Sequence, residues 1–401
     1  MHPSRHRYDV LVVGGGIIGL VTAWRAAQRG LSTAVADPAP GGGAAHVAAG
    51  MLAAVTELQY GEQTLLELNL ASARRYPSFV AELEDATGLG LGYRPCGTLA
   101  VALDSDDRAD LRELHAFQTS LGLRSEWLSG RECRRLEPML APGVRGGLRV
   151  DGDHQVDPRR LAAAPLRARR VAGSPDHRSA PGIDGRAGVV LHRSSVARIE
   201  TVRDHATGAV LDDGTVIAAE QTVLAAGSRS GGMPGVPEHA LPPVRPVKGQ
   251  ILRLRVPPGH GPFLSRTVRA VVRGGHVYLV PRENGELVVG ATSEELGWDT
   301  TVTAGGVYEL LRDAHELVPG LTELPLVETS AGLRPGSPDN APLLGRSALP
   351  GLLLATGHHR NGVLLTPVTG DVMAELLTTG SVPESARPFS PARFTLQEQP
   401  A

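Results

Sequence analysis

Residues 8–37 constrain this chain more than any other stretch. Tyr8-Asp-Val-Leu-Val-Val13 is an apolar run of the kind a parallel sheet buries on both faces. Gly14-Gly-Gly-Ile-Ile-Gly19 follows it, and residues 20–29 read as a helix closed by Gly30. Residues 31–36 form a second apolar strand that stops at Asp37. A strand, a G-x-G-x-x-G turn, a helix, a strand and an acidic residue at roughly this spacing form a complete dinucleotide-binding βαβ pattern. Each residue has a physical task. Gly14 permits the tight turn, Gly16 lets the backbone approach a pyrophosphate, and Gly19 lets helix and sheet pack closely. Ile17 and Ile18 open the helix, where free N–H groups and the dipole favour an anion. Asp37 can accept hydrogen bonds from ribose hydroxyls. A glycine-rich packing turn alone would leave Asp37 unexplained.

Composition bounds what surrounds this unit. The 401 residues have room for two domains, and hydrophobic residues make up 41 %. Aromatics are only 3 %, so Leu, Val and Ala must fill the core. A formal net charge of -2 argues against general nucleic-acid or acidic-membrane binding, both of which need basic excess. Cys96 and Cys133 are too few for a disulfide framework or a Cys-rich metal site, and they point to a reducing cytoplasm. No apolar run reaches the ~18–20 residues needed to span a bilayer. The basic start runs straight into a strand with no signal cleavage pattern. Lys248 is the only lysine, which reads as the arginine bias of a GC-rich genome.

Periodicity predicts helices over 64–87, 106–121, 129–136, 157–164, 303–318 and 367–377. Strands are expected within 93–101, 189–201, 209–217, 222–226, 248–255, 268–280, 286–292 and 351–355, with turns at Asp213-Gly214 and Asn284-Gly285. Residues 165–186 lack apolar period and read as a surface loop or insertion. The proline-bearing stretch after Gly380 reads as loosely attached. Two distant segments favour FAD over NAD. Thr222 to Gly227 is a strand that stops at Ala-Gly, allowing a second close backbone approach. Residues 351–370 run strand, Gly357-His-His-Arg-Asn-Gly362, then a helix whose N-terminus could stabilise negative charge on a reduced flavin.

Four segments together resemble the D-amino-acid-oxidase superfamily of flavoproteins, and within it the glycine oxidases of thiazole (thiamine) biosynthesis. They are Val12-Val-Gly-Gly-Gly-Ile-Ile-Gly-Leu20, Val47-Ala-Ala-Gly-Met-Leu52, Arg245-Pro-Val-Lys-Gly-Gln250, and Gly332-Leu-Arg-Pro335 with residues 357–365. The resemblance covers residues 8–378. It implies an α/β fold: an FAD-binding Rossmann-like domain interleaved with an α+β antiparallel-sheet substrate domain. The expected partition is 1–85, 150–235 and 326–385 for the FAD domain, 86–149 and 236–325 for the substrate domain, and 386–401 as a loose tail.

The resemblance also implies site residues. Arg334 would bind a substrate carboxylate through its planar fork, and the Tyr278 hydroxyl would meet the same group. Ala45, Ala49, Gly50 and Met51 match positions along the cofactor, as do Val196, Ala226 and Gly227. Gly357, Arg360, Asn361, Gly362, Val363 and Leu364 match the loop under the flavin's pyrimidine end. There are departures. Asp37 stands where Glu is more frequent, a serine near Ala45 is absent, and His359 takes the place of an aromatic.

Neither cysteine matches the site of covalent flavin attachment in sarcosine oxidases, so FAD is expected without a covalent bond. His358 and His359 are adjacent without a carboxylate cluster, so no metal is expected. The implied activity is oxidative deamination of glycine with O2 reduced to H2O2, in a cytoplasmic homotetramer. Alternatives are an oxidase or dehydrogenase for sarcosine, proline or small D-amino acids, and a non-catalytic dinucleotide-binding module. Lys248, as an aid to oxygen chemistry, and His276, two residues before Tyr278, are secondary candidates.

Overall fold

A computed structural model describes residues 5–171, 188–241, 243–259 and 262–395. Two sheets organise them. The first has the order Leu343–Arg346, Leu352–Thr356, Val216–Leu224, Arg5–Val13, Thr33–Ala36, Val189–His192, with the hairpin Val196–Val202/His205–Leu211 attached to Val216–Leu224. Its central pairs are parallel, Arg5–Val13 lying between Thr33–Ala36 and Val216–Leu224. Both faces are covered. Helices Ile17–Gln28 and Thr366–Thr379 bring Leu20, Ala23, Ala26, Met373 and Leu376 onto Val10, Val12, Val35, Val223 and Leu353 on one face, and Ile199, Ala209 and Met233 pack with Leu11, Val13, Ala34 and Leu224 on the other. That cover explains why these strands read as unbroken apolar runs.

The second sheet has the order Leu326–Gly336, Arg245–Arg255, Glu286–Gly290, Gly275–Pro281, Thr267–Val272, Thr98–Ala102, Gly146–Val150, Glu126–Ser129. It is antiparallel except for the Thr98–Ala102/Thr267–Val272 pair. Helix Ala304–Leu317 packs Leu310, Ala314 and Leu317 against Leu252, Leu254, Leu279 and Val289 on one face. The other face looks toward the first sheet's domain. Local signals hold. Asp104 caps Ser105–Ser120, and Ser129 and Glu132 form a capping box on Gly130–Leu136. Among the described residues no helix is long and apolar enough to cross a membrane.

Three expectations need correction. Residues 165–171 are not loop, because helix Pro158–Val171 runs through Pro165. Leu161, Ala164 and Ala168 lie three or four residues apart and are buried, and this packing outweighs the proline. The rest of that expected loop, 172–186, falls outside the described residues. Second, Leu326–Gly336 pairs with Arg245–Arg255 in the second sheet, so the domain boundary set at 326 belongs after Gly336. This strand had no strand signal because glycine, serine and proline interrupt its apolar residues. Third, the segment from 386 is not loose. Ala386 and Phe389 are buried with Leu65, Leu68 and Val368, and Arg393 meets Asp339 at 2.8 Å. Residues 396–401 lie outside the described residues.

Candidate active site

The nucleotide loop is built by close backbone approach. Gly14 has φ +110°, and a Cβ there would lie 2.6 Å from the Ala225 carbonyl carbon. The Ala225 N–H donates to the Val13 carbonyl at 2.8 Å, so Ala226 and Gly227 follow directly beside this turn. A Cβ on Gly19 would strike the Gly14 carbonyl. Gly16 differs: a Cβ there would meet nothing within 4 Å. It caps helix Ile17–Gln28 with no side-chain acceptor, and no acidic residue sits in the first turn. The Ile17 and Ile18 end of the helix can therefore accept an anion, by its dipole and its unspent N–H groups. Asp37 accepts from the Gly15 N–H and the Ala39 N–H, both at 2.7 Å. Its oxygens keep lone pairs for further donors. Val196 is half-buried at the start of its strand, just past His192, whose carbonyl accepts the Asp37 N–H at 3.0 Å.

A second cradle lies at the far end of the sheet. Gly357 ends strand Leu352–Thr356, and His359–Asn361 forms a short 3₁₀ turn before helix Thr366–Thr379. That helix also has no acidic residue in its first turn, and its Val368 N–H donates to the Ser72 hydroxyl at 3.4 Å. The turn is held from behind. Tyr76 donates to the Val363 carbonyl and Ser72 to the Leu364 carbonyl, each at 2.6 Å. Arg360 pairs with Glu62. Three buried nitrogens on this turn, His359 Nδ1, Arg360 Nε and Asn361 Nδ2, have no protein partner. Buried polar atoms of this kind are paired in native proteins, so these three are open to a polar partner from outside the chain.

Between the cradles runs the segment Ala49–Leu52. Ala45 is a buried packing residue beside Ile17 and Leu52. Arg282 reaches this segment from the second sheet. Its Nη2 donates to the Ala49 carbonyl, and its Nη1 donates to Gln155 Oε1 at 2.8 Å and the Val156 carbonyl at 2.9 Å. Burial lowers the Arg282 pKa to about 10, which leaves it charged at neutral pH. Met51 and Ala49 then share an apolar cluster with Ile251, Val280 and Tyr278.

Arg334 and Tyr278 converge although two strands separate their own. Arg334 pairs with Val247, and its side chain lies over Gly249, where a Cβ would be 2.5 Å from both Nη atoms. Its Nη1 donates to the carbonyls of Thr292 at 3.2 Å and Lys248 at 3.4 Å. The Tyr278 ring lies over Gly290, where a Cβ would be 2.5 Å from Cζ. Burial raises the Tyr278 hydroxyl pKa, and neighbouring Arg334 acts against that rise. Two side-chain-free strand positions thus open the floor on which these groups meet.

Sequence reasoning did not find Glu57, Arg269, Arg282 or Asp153. Arg269 stands directly opposite Tyr278 across the sheet, and its Nη1 is 3.5 Å from Glu57 Oε1. Buried Asp153 accepts from the Val55 and Thr56 N–H groups and the Thr56 hydroxyl, at 3.0, 2.7 and 2.7 Å, fixing the turn that carries Glu57. No local signal marks any of them, since each is defined by a partner over 95 residues away in sequence.

The secondary candidates separate. Lys248 points to the sheet's opposite face and is fully buried between Asp299 (3.0 Å) and Glu294 (3.6 Å), which removes it from the Arg334 side. His276 shares the Tyr278 face, and its pKa is lowered by partial burial of the ring and then by Arg269. His358 and His359 sit in different surroundings. His358 is buried against the Thr369 hydroxyl at 3.0 Å, and burial drops its pKa to about 3. His359 drops to about 4, through burial first and then Arg360, Arg334 and Arg245.

Comparison with known proteins bears on this geometry. The family described as FAD dependent oxidoreductase matches residues 9–376. The chain is 34% identical to the glycine oxidase of Geobacillus kaustophilus, covering 97% of each. It is 36% identical over 98% of its length to the bifunctional protein ThiO/ThiG of Synechocystis sp., of which it spans 55%. It thus spans about half the length of such bifunctional relatives. The crystal structure of glycine oxidase from Geobacillus kaustophilus superposes with a TM-score of 0.84 at 35% identity, covering 96% of this chain and 98% of that one.

Proposed function

The chain belongs to the FAD dependent oxidoreductase family, and on that premise we propose that it catalyses the oxidative deamination of glycine. Glycine, O2 and water give glyoxylate, ammonia and H2O2 by way of the imine, which can supply thiazole formation in thiamine biosynthesis. The names of the glycine oxidase relatives support the substrate. The observation that carries the reading is the convergence of Arg334 and Tyr278 on the open floor made by Gly249 and Gly290.

The residues present fit FAD. Gly14, Gly16, Ile17, Ile18 and Gly19 would hold the pyrophosphate, and Asp37 the ribose. Val196, Ala226 and Gly227 would flank the adenosine side, with Ala45, Ala49, Gly50 and Met51 along the path to the ring. The unpartnered nitrogens of His359, Arg360 and Asn361, with the helix start after Gly362, Val363 and Leu364, suit the polar, electron-accepting edge of the ring system. When bound, FAD would supply the two-electron acceptor for a hydride.

The chain's own residues bind and orient. Arg334 uses Nη1 on two backbone carbonyls, and its remaining donors can take a carboxylate in a charge-assisted fork. Tyr278 donates its hydroxyl to the same group. Holding that end fixes the α-carbon as a near-attack conformer. The neutral amine provides the electron push, so no side-chain base is needed. Arg282 clamps Ala49, and Tyr76 and Ser72 clamp the 363–364 carbonyls, so both walls of the pocket are preorganised. In this reading FAD is held without a covalent bond and the enzyme is a cytoplasmic homotetramer. Acid precipitation should release all flavin, and light scattering should give four chains.

The test is peroxide production by FAD-loaded protein with glycine, sarcosine, D-alanine and D-proline. Turnover led by glycine supports the proposal. Turnover led by another of the four moves the substrate to that amine, and no turnover with any of them removes the oxidase reading.

A further inference from the structure

Arg269 and Glu57 have no part in holding the carboxylate as described above, yet both are set beside Tyr278. Arg269 is the cross-strand partner of Tyr278, so the two side chains leave the same face of the sheet about 5 Å apart. On its other side the cross-strand neighbour of Arg269 is Ala100. Its guanidinium meets Glu57 at 3.5 Å, with side-chain exposures of 14% and 18%. The contact is an ion pair without a hydrogen bond, because Arg269 Nη1 is buried and makes none. Glu57 is positioned independently of that pair. Asp153 holds the preceding turn through three hydrogen bonds, and the Glu57 carbonyl accepts from Arg360 at 3.4 Å. The Tyr278 hydroxyl therefore lies within the fields of Arg334, Glu57 and Arg269 together. Little solvent reaches this pair to screen it.

We infer that the Glu57–Arg269 pair determines how many carboxylates a substrate of this pocket can carry. This rests on the glycine-oxidase reading of the site. Arg334 takes the first carboxylate. Arg269, cross-strand from Tyr278, is placed to take a second, and Glu57 occupies it and repels a second anion. The wild-type pocket accordingly accepts monocarboxylate amines and discriminates against N-carboxymethyl amines with two carboxylates, specificity by a repulsive element. Replacing Glu57 by a neutral residue of the same shape turns Arg269 into a receptor for the second carboxylate.

The test uses two inert probes on the FAD-loaded enzyme: methoxyacetate, with one carboxylate, and diglycolate, with two. Calorimetry gives a Kd for each. Wild type should bind methoxyacetate more tightly. Glu57→Gln should shift the ratio of the two affinities toward diglycolate by about tenfold or more, the worth of a charge-assisted pair. Glu57→Ala should shift it in the same direction. Adding Arg269→Gln to Glu57→Gln should abolish the shift. A ratio in both Glu57 variants within about threefold of wild type overturns the inference, as does a shift that survives loss of Arg269. Wild type that binds neither probe overturns the carboxylate pocket itself, and this inference falls with it.

Discussion

Gly249→Ala tests the carboxylate site through a single atom. The added Cβ would lie 2.5 Å from Arg334 Nη1 and Nη2 and 2.6 Å from Cζ. Unstrained non-bonded contact needs about 3.5 Å, so the guanidinium must retreat by about 1 Å. The strand cannot yield instead. Gly249 pairs with Gly332, whose own Cβ position is 3.1 Å from Val47. Gly249 has no positive φ, so alanine suits its backbone and folding should survive. A retreat of that size breaks the hold of Arg334 Nη1 on the Thr292 and Lys248 carbonyls, at 3.2 and 3.4 Å. Misplacing a binding group by about 1 Å costs on the order of 100-fold, so kcat/KM for glycine should fall about 100-fold, or about 2.7 kcal/mol of transition-state stabilisation. A carboxylate anchor serves ground and transition states alike, so most of the loss should appear in KM. The assay is steady-state peroxide production at matched FAD content. A kcat/KM within about threefold of wild type, with flavin fully bound, would falsify the placement of Arg334 at the substrate.

Arg334→Ala should raise KM for glycine at least as strongly as Gly249→Ala while the protein stays yellow, and an unchanged KM counts against the site. In an Arg334→Ala background, Gly249→Ala should add almost nothing, since both act through one group. Gly14→Val places a side chain on Ala225 at φ +110°, so the purified protein should carry little or no FAD by its visible spectrum. Acid should destabilise the fold through His358. Its folded pKa of about 3 lies below the ordinary 6.5, so the buried ring is neutral and costs nothing above pH 6.5. As pH falls below 6.5 the unfolded chain takes up a proton that the folded one refuses. The loss is about 1.4 kcal/mol per pH unit, about 2 kcal/mol by pH 5. Asp153, raised to about 6 by burial, works in the opposite direction as pH falls, so the comparison is made between variants. Urea unfolding at pH 7 and pH 5 should show a loss about 2 kcal/mol larger in wild type than in His358→Gln, and equal losses would contradict the assignment.

The nucleotide loop was legible because everything that defines it is local. Its strand, glycines, helix and Asp37 lie within one contiguous stretch, and its spacing follows from helix and strand geometry. The helices that the structure places near their expected limits likewise carry their own caps, as Asp104 and Ser129 do. Strand Leu326–Gly336 was not legible as a strand, although it carries Arg334. Its glycines are there for the closeness of Val47 and its neighbours, a requirement that no single segment states. Phe389 likewise looks like a tail residue until Leu65 and Val368 are seen to cover it.

The sequence by itself determined the dinucleotide-binding βαβ unit, the family resemblance and the identities of Arg334 and Tyr278 as candidates. Periodicity and turn chemistry are properties of neighbouring residues, and a resemblance carries identities from position to position. Only the tertiary structure decided what these residues can do together. It laid Arg334 over Gly249 and Tyr278 over Gly290, turned Lys248 to the opposite face, and set Glu57 against Arg269. Strand order, register and the face a side chain leaves from are collective results of pairing across the sheet, where a shift of one residue reverses every side chain. No local stretch of the chain contains that information.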